Sequence, residues 1–274
     1  MSKNKLRVFI FLFCFSNILL SQEQYFQNQT LKLIDLADII LNGKTDSIRK
    51  EANTNFQTIL SETLNTDKSY LHDFQKIKHL SILKTKNKKF KLFTWFLPYE
   101  NGTYNYFGLI QRCKKNGKKC ELYYLESNAV DDNLLLNKKL AHYEWYGCLY
   151  YDIIPIEINK TMYYTLLGWD GNNNKTTKKI IDVLTLGKKT PPYFGANIFN
   201  NQKNRIIIEY SSQYSISLKY DKELECIVFD HIEPIDGVST NNFNLYAPNL
   251  SYDIFKKTDL GWRLETNIYL NNNE

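Results

Sequence analysis

The chain has 274 residues, 35 Lys and Arg against 29 Asp and Glu, and a formal net charge of +6. It is rich in Tyr (20) and Phe (16) and poor in Gly (11) and Pro (6), which argues against a disordered or fibrous chain and favours strands bearing large half-buried side chains. Basic and acidic residues are interspersed, so no cationic stripe tracks a phosphate backbone, and nucleic-acid binding is disfavoured.

The N-terminus has the three parts of a signal peptide. Lys3, Lys5 and Arg7 are positive, Val8 to Leu20 is apolar apart from Ser16 and Asn17, and Ser21 is a small residue before Gln22-Glu23-Gln24. The apolar run of 13 residues is shorter than the roughly 20 that span a bilayer. Cys14 follows Phe13 inside that run, which argues against a lipoprotein signal, and Leu19 is large for the −3 position of a cleavage after Ser21. Residues 1–22 are therefore expected to be removed on export, lowering the net charge to +3 and leaving no membrane span. Residues 23–274 are expected to form a single α+β domain, helical over 27–78 and mainly antiparallel β over 79–270.

Leu33, Leu36, Ala37, Ile40 and Leu41 recur at helical spacing, and Asn42-Gly43 is a stop signal. Thr45 or Asp46 caps a second helix carrying Ile48, Ala52, Phe56, Leu60 and Leu64 on one stripe. A shorter third helix is expected from Asp67, with Leu71, Phe74 and Ile77. From residue 79 the period becomes strand-like: Leu80–Lys84, Phe90–Leu97, Tyr104–Gln111 and Glu121–Leu125, separated by Lys86-Asn87-Lys88, Asn101-Gly102 and Asn116-Gly117. A helix is expected over Asp132–Ala141. Strands resume at Leu149–Pro155, Met162–Trp169, Ile180–Leu186, Arg205–Tyr210, Ser215–Tyr220, Cys226–Ile232, Tyr252–Phe255 and Trp262–Tyr269. Short connections without β-helix-β alternation predict helices packed on a large antiparallel meander, and a small β-propeller is the alternative.

Four cysteines follow the leader: Cys113, Cys120, Cys148 and Cys226. Cys113 and Cys120 flank Asn116-Gly117 symmetrically, so a disulfide between them is open, although the register places them at a hydrogen-bonded pair with Cα atoms about 5.5 Å apart. Cys148 and Cys226 sit in apolar strand patterns and read as buried thiols or an incidental pair. No paired C-x-x-C zinc spacing, phosphate loop, G-x-S-x-G, G-x-G-x-x-G or H-E-x-x-H occurs, so neither metal nor cofactor is expected. His142–Glu144 reads H-x-E without the P-C-x-x-C of a zinc deaminase.

Three constellations carry the candidate chemistry. Asp170, Asn172 and Asn174 alternate like the opening of a calcium loop, but Lys175 and Ile181 stand where Gly and Glu are needed, and an Asx-rich turn accounts for them better. Asp230, His231 and Glu233 are close in sequence, yet strand alternation sends Asp230 and His231 to opposite faces. Tyr143, Trp145, Tyr146, Tyr150, Tyr151, Tyr163, Tyr164 and Trp169 are dense enough for a glycan or peptide platform, and equally for a Tyr-rich core.

Further stretches carry a resemblance: Phe90–Trp95, Asn101–Gln111, Trp145–Tyr151, Tyr163–Asn172, Lys179–Leu184, Val228–Ile232, Tyr246–Asp253 and the Gly261-Trp262 ending. Over residues 75–270 the chain resembles a family of hypothetical exported proteins of Bacteroidota. The resemblance implies a Gram-negative envelope address and one continuous domain, and brings no catalytic residues. Asn249 departs from it, standing where an acidic residue is expected. The resulting expectation is an exported protein of the periplasm, outer membrane or medium, acting as a non-catalytic binding module for glycan or peptide. Trp145, Tyr163, Trp169, Asp170, Asp230, His231 and Asp253 are its candidate binding residues. The alternatives are a hydrolase of cell-wall or extracellular polymer using carboxylates such as Asp170, Asp230 and Asp253, and an assembly partner in the cell envelope.

Overall fold

The computed structural model describes residues 3–74, 76–85, 90–114, 117–127, 135–187, 190–237 and 241–269, excepting the side chains of 3–20 and of Lys118. The expected turns at 86–88 and at Asn116, and the first part of the expected 132–141 helix, lie outside the described residues. Contacts divide the chain into two compact units, Met1–Lys78 with Cys113–Glu121, and His79–Arg112 with Leu122–Glu274.

The first unit is built on α1 (Lys3–Asn42) and α2 (Asp46–Asn65). The Thr45 hydroxyl accepts from Ile48 N at 3.3 Å, satisfying one of the amides that every helix start leaves open. Leu33, Ala37 and Ile40 of α1 and Ala52, Phe56, Leu60 and Leu64 of α2 are buried, as their spacing predicts, with Leu36 and Leu41 partly so; Phe26 is buried as well, whereas Ile48, expected on the same stripe, is exposed. The expected third helix is not formed: among the described residues the segment holds a single 3-10 turn, Ser69–Leu71. Lys68 is left-handed (φ 67°) and the Ser69 hydroxyl donates to Leu64 O at 2.7 Å, so the chain closes a turn instead of starting a helix. Phe74 and Ile77 are buried without helical backbone. Cys113 and Cys120 form a disulfide with Cα atoms 4.0 Å apart, nearer than the hydrogen-bonded register predicts. Lys119 is left-handed (φ 51°), so the hairpin is irregular just there. A Cβ on Gly117 would lie 3.3 Å from side-chain atoms of Tyr70 and Leu71, so the hairpin tip rests against that turn.

The second unit holds three antiparallel sheets. The first has the order β1-β2-β3-β4, with β1 (Ser81–Lys84), β2 (Phe90–Pro98), β3 (Tyr104–Lys114) and β4 (Lys118–Leu125), whose hairpin end enters the first unit. The second runs β5-β9-β8-β7-β6, from β5 (Leu140–Ala141), β9 (Tyr193–Phe194), β8 (Thr176–Thr185), β7 (Thr161–Asp170) and β6 (Leu149–Ile158), with β10 (Ile206–Ser211) also paired to β8. The third has the order β11-β12-β13-β14, namely β11 (Leu218–Asp221), β12 (Cys226–Pro234), β13 (Tyr246–Thr258) and β14 (Gly261–Ile268). Leu140 and Ala141 are thus strand, not the end of a helix, because they pair with Phe194 and Tyr193.

Alternation assigns the two faces of the central sheet. Tyr164, Leu166, Ile180 and Leu184 face Phe90, Leu92, Tyr106 and Ile110 of the first sheet. Leu167, Ile181, Val183 and Ile208 face Ile227, Phe229, Phe255 and Trp262 of the third. The central strands are therefore buried on both sides, and Ile180–Val183 read as a continuous buried run. A bulge between Tyr150 and Asp152 shifts the register of β6, so that Tyr150 joins the first core while Ile154, Ile156 and Ile158 turn to the second. The fold is α+β with antiparallel sheets, and among the described residues no barrel or propeller closes.

Candidate functional site

A buried polar cluster lies within the core between the first two sheets. Asp182 and Arg205 are wholly buried, with Arg205 Nε 3.3 Å from Asp182 Oδ1. Tyr150 donates to Asp182 Oδ2 at 2.8 Å and Trp145 Nε1 donates to Tyr150 at 3.2 Å. Arg205 Nη1 donates to the carbonyls of Leu135 and Lys138, pinning the segment that leads into β5. Cys148 is a free, buried thiol, raised well above its ordinary value first by burial and then by Asp182 and Asp170. Burial likewise pushes the Tyr150 hydroxyl up, with Asp182 adding to it. Trp145 is therefore a core residue and presents no surface to a ligand, because the chain needs its ring to fill the layer and its N–H to satisfy Tyr150. Cys226, the other free thiol, is buried on the opposite side of the third sheet, so the two do not pair.

Asp170 ends β7 on the same layer. Its Oδ1 accepts from Asn172 N at 2.8 Å and its Oδ2 from Tyr146 at 3.2 Å. Burial raises its carboxyl above the ordinary aspartate value, opposed by the Asn172 amide, Lys178 and the Tyr106 and Tyr146 hydroxyls. The alternating Asn residues point away from it. Asn172 Nδ2 donates to Thr176 at 2.6 Å and to Glu209 at 3.2 Å, and Asn174 Nδ2 donates to Asn101 O at 3.0 Å. Asn173 Oδ1 accepts from Lys175 N and Thr176 N. These oxygens close an Asx-rich turn rather than converge on a cation, and among the described residues no metal-holding cluster occurs. Trp169 is half-buried, its ring edge-on to Phe96 and Tyr104 at 5.5 Å each.

Asp230 and His231 engage different partners, at an irregularity in β12. Asp230 Oδ2 accepts from Ser217 N at 2.7 Å, capping the entry to β11. His231 occupies a bulge in β12 and its Nδ1 lies 2.8 Å from Asp253 Oδ1, which also accepts from Asn267 N at 2.9 Å. His231 is thus a satisfied histidine at the end of a core strand. Asp170, Asp230 and Asp253 each serve a different local structure, and the described contacts bring no two of them together as an acid–base pair.

Of the candidate aromatics, Tyr163 lines a substantial cleft. Tyr163, Thr185 and Tyr193 are direct cross-strand partners on β7, β8 and β9, so they share one face in a row. Two strand spacings set the tyrosine backbones about 9.6 Å apart. The row forms one side of a cleft of about 470 Å³, completed by Met162, Lys139, Gly195, Asn197 and Asn204. Both tyrosines are half-buried, held by their strands with part of each ring free. Lys139 Nζ stands 4.6 Å from the Tyr193 ring centroid. No Asp or Glu is among the described residues lining this cleft. A second cavity, about 540 Å³ in the first unit, is lined by Glu23, Gln27, Asp73, Lys76 and the His72 ring, with Leu31 and Leu71 at its rim. It combines charges of both signs and offers His72 as its aromatic ring, the Nε2 of which is engaged with Thr30 at 3.0 Å.

Tyr193, Thr185, Lys139, Asn197 and Asn204 were not among the sequence candidates. The signal present was Pro191-Pro192-Tyr193-Phe194, a short apolar pair behind two prolines, too brief to register as a strand by alternation. No family model, curated protein or solved structure matches this chain.

Proposed function

We propose that this is an exported, non-catalytic binding module that receives a glycan on the Tyr163–Thr185–Tyr193 row. The observation that carries the reading is a row of two half-buried tyrosines in a cleft lined by amides, hydroxyls and one lysine, with no carboxylate among its described lining residues. Flat phenol rings offer contact area to the CH face of a sugar at little cost in side-chain entropy, and amides exchange hydrogen bonds with its hydroxyls. The cleft volume lies within the range of small-ligand sites. Export is supported by the leader pattern of residues 1–22 and by the Cys113–Cys120 disulfide, a bond that persists in oxidising compartments. Among the described residues no helix is long and apolar enough to cross a membrane.

The test is titration calorimetry of residues 23–274 against a panel of glycans and short peptides, with Tyr193→Ala and Tyr163→Ala alongside. Each substitution is expected to weaken glycan binding by about tenfold, the effect of removing a central aromatic contact. Binding of peptides in place of glycans, or glycan binding indifferent to both substitutions, would overturn the reading.

A further inference from the structure

The charge of the cleft is one-sided. Lys139 is the ionised group among its described lining residues, and it stands over the Tyr193 ring where a sugar stacked on that ring would meet it. A second cation lies behind the wall. Arg205 is wholly buried, Asp182 faces its Nε, and the Leu135 and Lys138 carbonyls take its Nη1, but its Nη2 has no hydrogen-bond partner among the described residues. A buried cationic donor left open is costly, so its position is informative. That Nη2 lies behind Gly195: a Cβ on this glycine would sit 2.9 Å from it and 2.9 Å from the Lys138 carbonyl oxygen. Gly195 is itself a lining residue of the cleft, and its φ of +88° is one that L side chains rarely adopt. Gly195 therefore puts no side chain between its own backbone, which lines the cleft, and the buried guanidinium behind it.

Resting on the glycan reading above, we propose that the ligand is an acidic sugar, a hexuronate residue within an oligosaccharide, with its carboxylate held between Lys139 and the bare wall at Gly195. One carboxylate oxygen accepts from Lys139 Nζ. The other lies against the Gly195 backbone, in the field of Arg205 Nη2. The ring of the same sugar packs beside Lys139 along the Tyr163–Thr185–Tyr193 row, and its hydroxyls meet Asn197 and Asn204. A neutral sugar makes the stacking and amide contacts and forgoes the charge-assisted ones, which are the stronger class.

The experiment compares hexuronate oligomers (galacturonate, glucuronate and mannuronate series) with their neutral hexose counterparts by titration calorimetry, at low and high salt. Wild-type protein and Lys139→Met are measured side by side, with melting temperatures to show that the exposed substitution leaves the fold intact. An acidic oligomer is expected to bind about tenfold or more tightly than its neutral counterpart, in keeping with the value of a hydrogen bond to a charged group. The preference should shrink with salt and fall about tenfold in Lys139→Met. Equal affinity for acidic and neutral oligomers, or a preference untouched by Lys139→Met, overturns the acidic-sugar proposal and leaves the glycan reading standing. Binding of neither series overturns both.

Discussion

Asp170 shows how one buried carboxylate ties stability to pH. Its two oxygens are engaged by the Asn172 amide and by tyrosine hydroxyls, yet burial dominates and raises its proton affinity. The folded protein then holds this proton to higher pH than the unfolded chain does. Stability at this site is fully present in acid and declines as pH rises from the ordinary aspartate value through the raised one. Asp170→Asn removes the charge and keeps an oxygen for the Asn172 amide. Urea midpoints of the variant, relative to wild type, are expected to climb from acid towards neutral pH and then level off. A relative midpoint that falls over that interval would mean that hydrogen bonding, not burial, governs the group. The contrast between Trp145 and Tyr163 belongs to the same scale. Both are aromatic residues of the Tyr-rich stretch, yet Trp145 follows a 3-10 turn and is completely buried in the first core, whereas Tyr163 on β7 is half-buried and lines a cleft.

Among the elements, the β3–β4 hairpin joins sequence to stability most directly. Cys113 and Cys120 are 7 residues apart, and closing so short a loop restricts the unfolded chain by about 2 kcal/mol in the chain-entropy picture. Because the hairpin tip rests on the Ser69–Leu71 turn, that stabilisation belongs to the helical unit. Replacing both cysteines by Ser is expected to accelerate amide exchange in α2 and at the hairpin tip while the amides of β7 and β8 keep their protection. Loss of protection spread evenly over both units would contradict this. The strands themselves were legible because alternation and Asn-Gly turns are local properties: Tyr104–Gln111 and Met162–Trp169 were read to within three residues of the observed ends of β3 and β7. The segment from Asp67 was misread because Leu71, Phe74 and Ile77 have helical spacing, whereas the left-handed Lys68 and the Ser69–Leu64 bond are not visible as a period. Short β5 and β9 escaped because two residues cannot show alternation, and with them went Tyr193 and most of the candidate cleft. The division of one expected meander into three sheets was hidden for a related reason. Strand pairing across long separations is set by the bulge at Tyr151 and by which apolar faces meet, neither of which the local pattern encodes.

At the scale of the whole molecule, the two units can be followed separately by spectroscopy. Tryptophans 95, 145, 169 and 262, the chain's full complement of 4, all belong to the sheet unit, whereas α1 and α2 belong to the other. Tryptophan fluorescence therefore reports the stacked sheets, and ellipticity at 222 nm is weighted towards the helices. Contacts concentrated within each unit predict cooperative unfolding of each, with the two probes giving distinct denaturant midpoints. A reductant supplies the control. Cys148 and Cys226 are already buried thiols, so among the described cysteines it acts on the Cys113–Cys120 bond. Reduction is expected to lower the ellipticity midpoint and leave the fluorescence midpoint in place, since the bond lies wholly within the helical unit. If both midpoints instead fall together by the same amount, the chain unfolds as one cooperative body, and the division into units is geometric without being energetic.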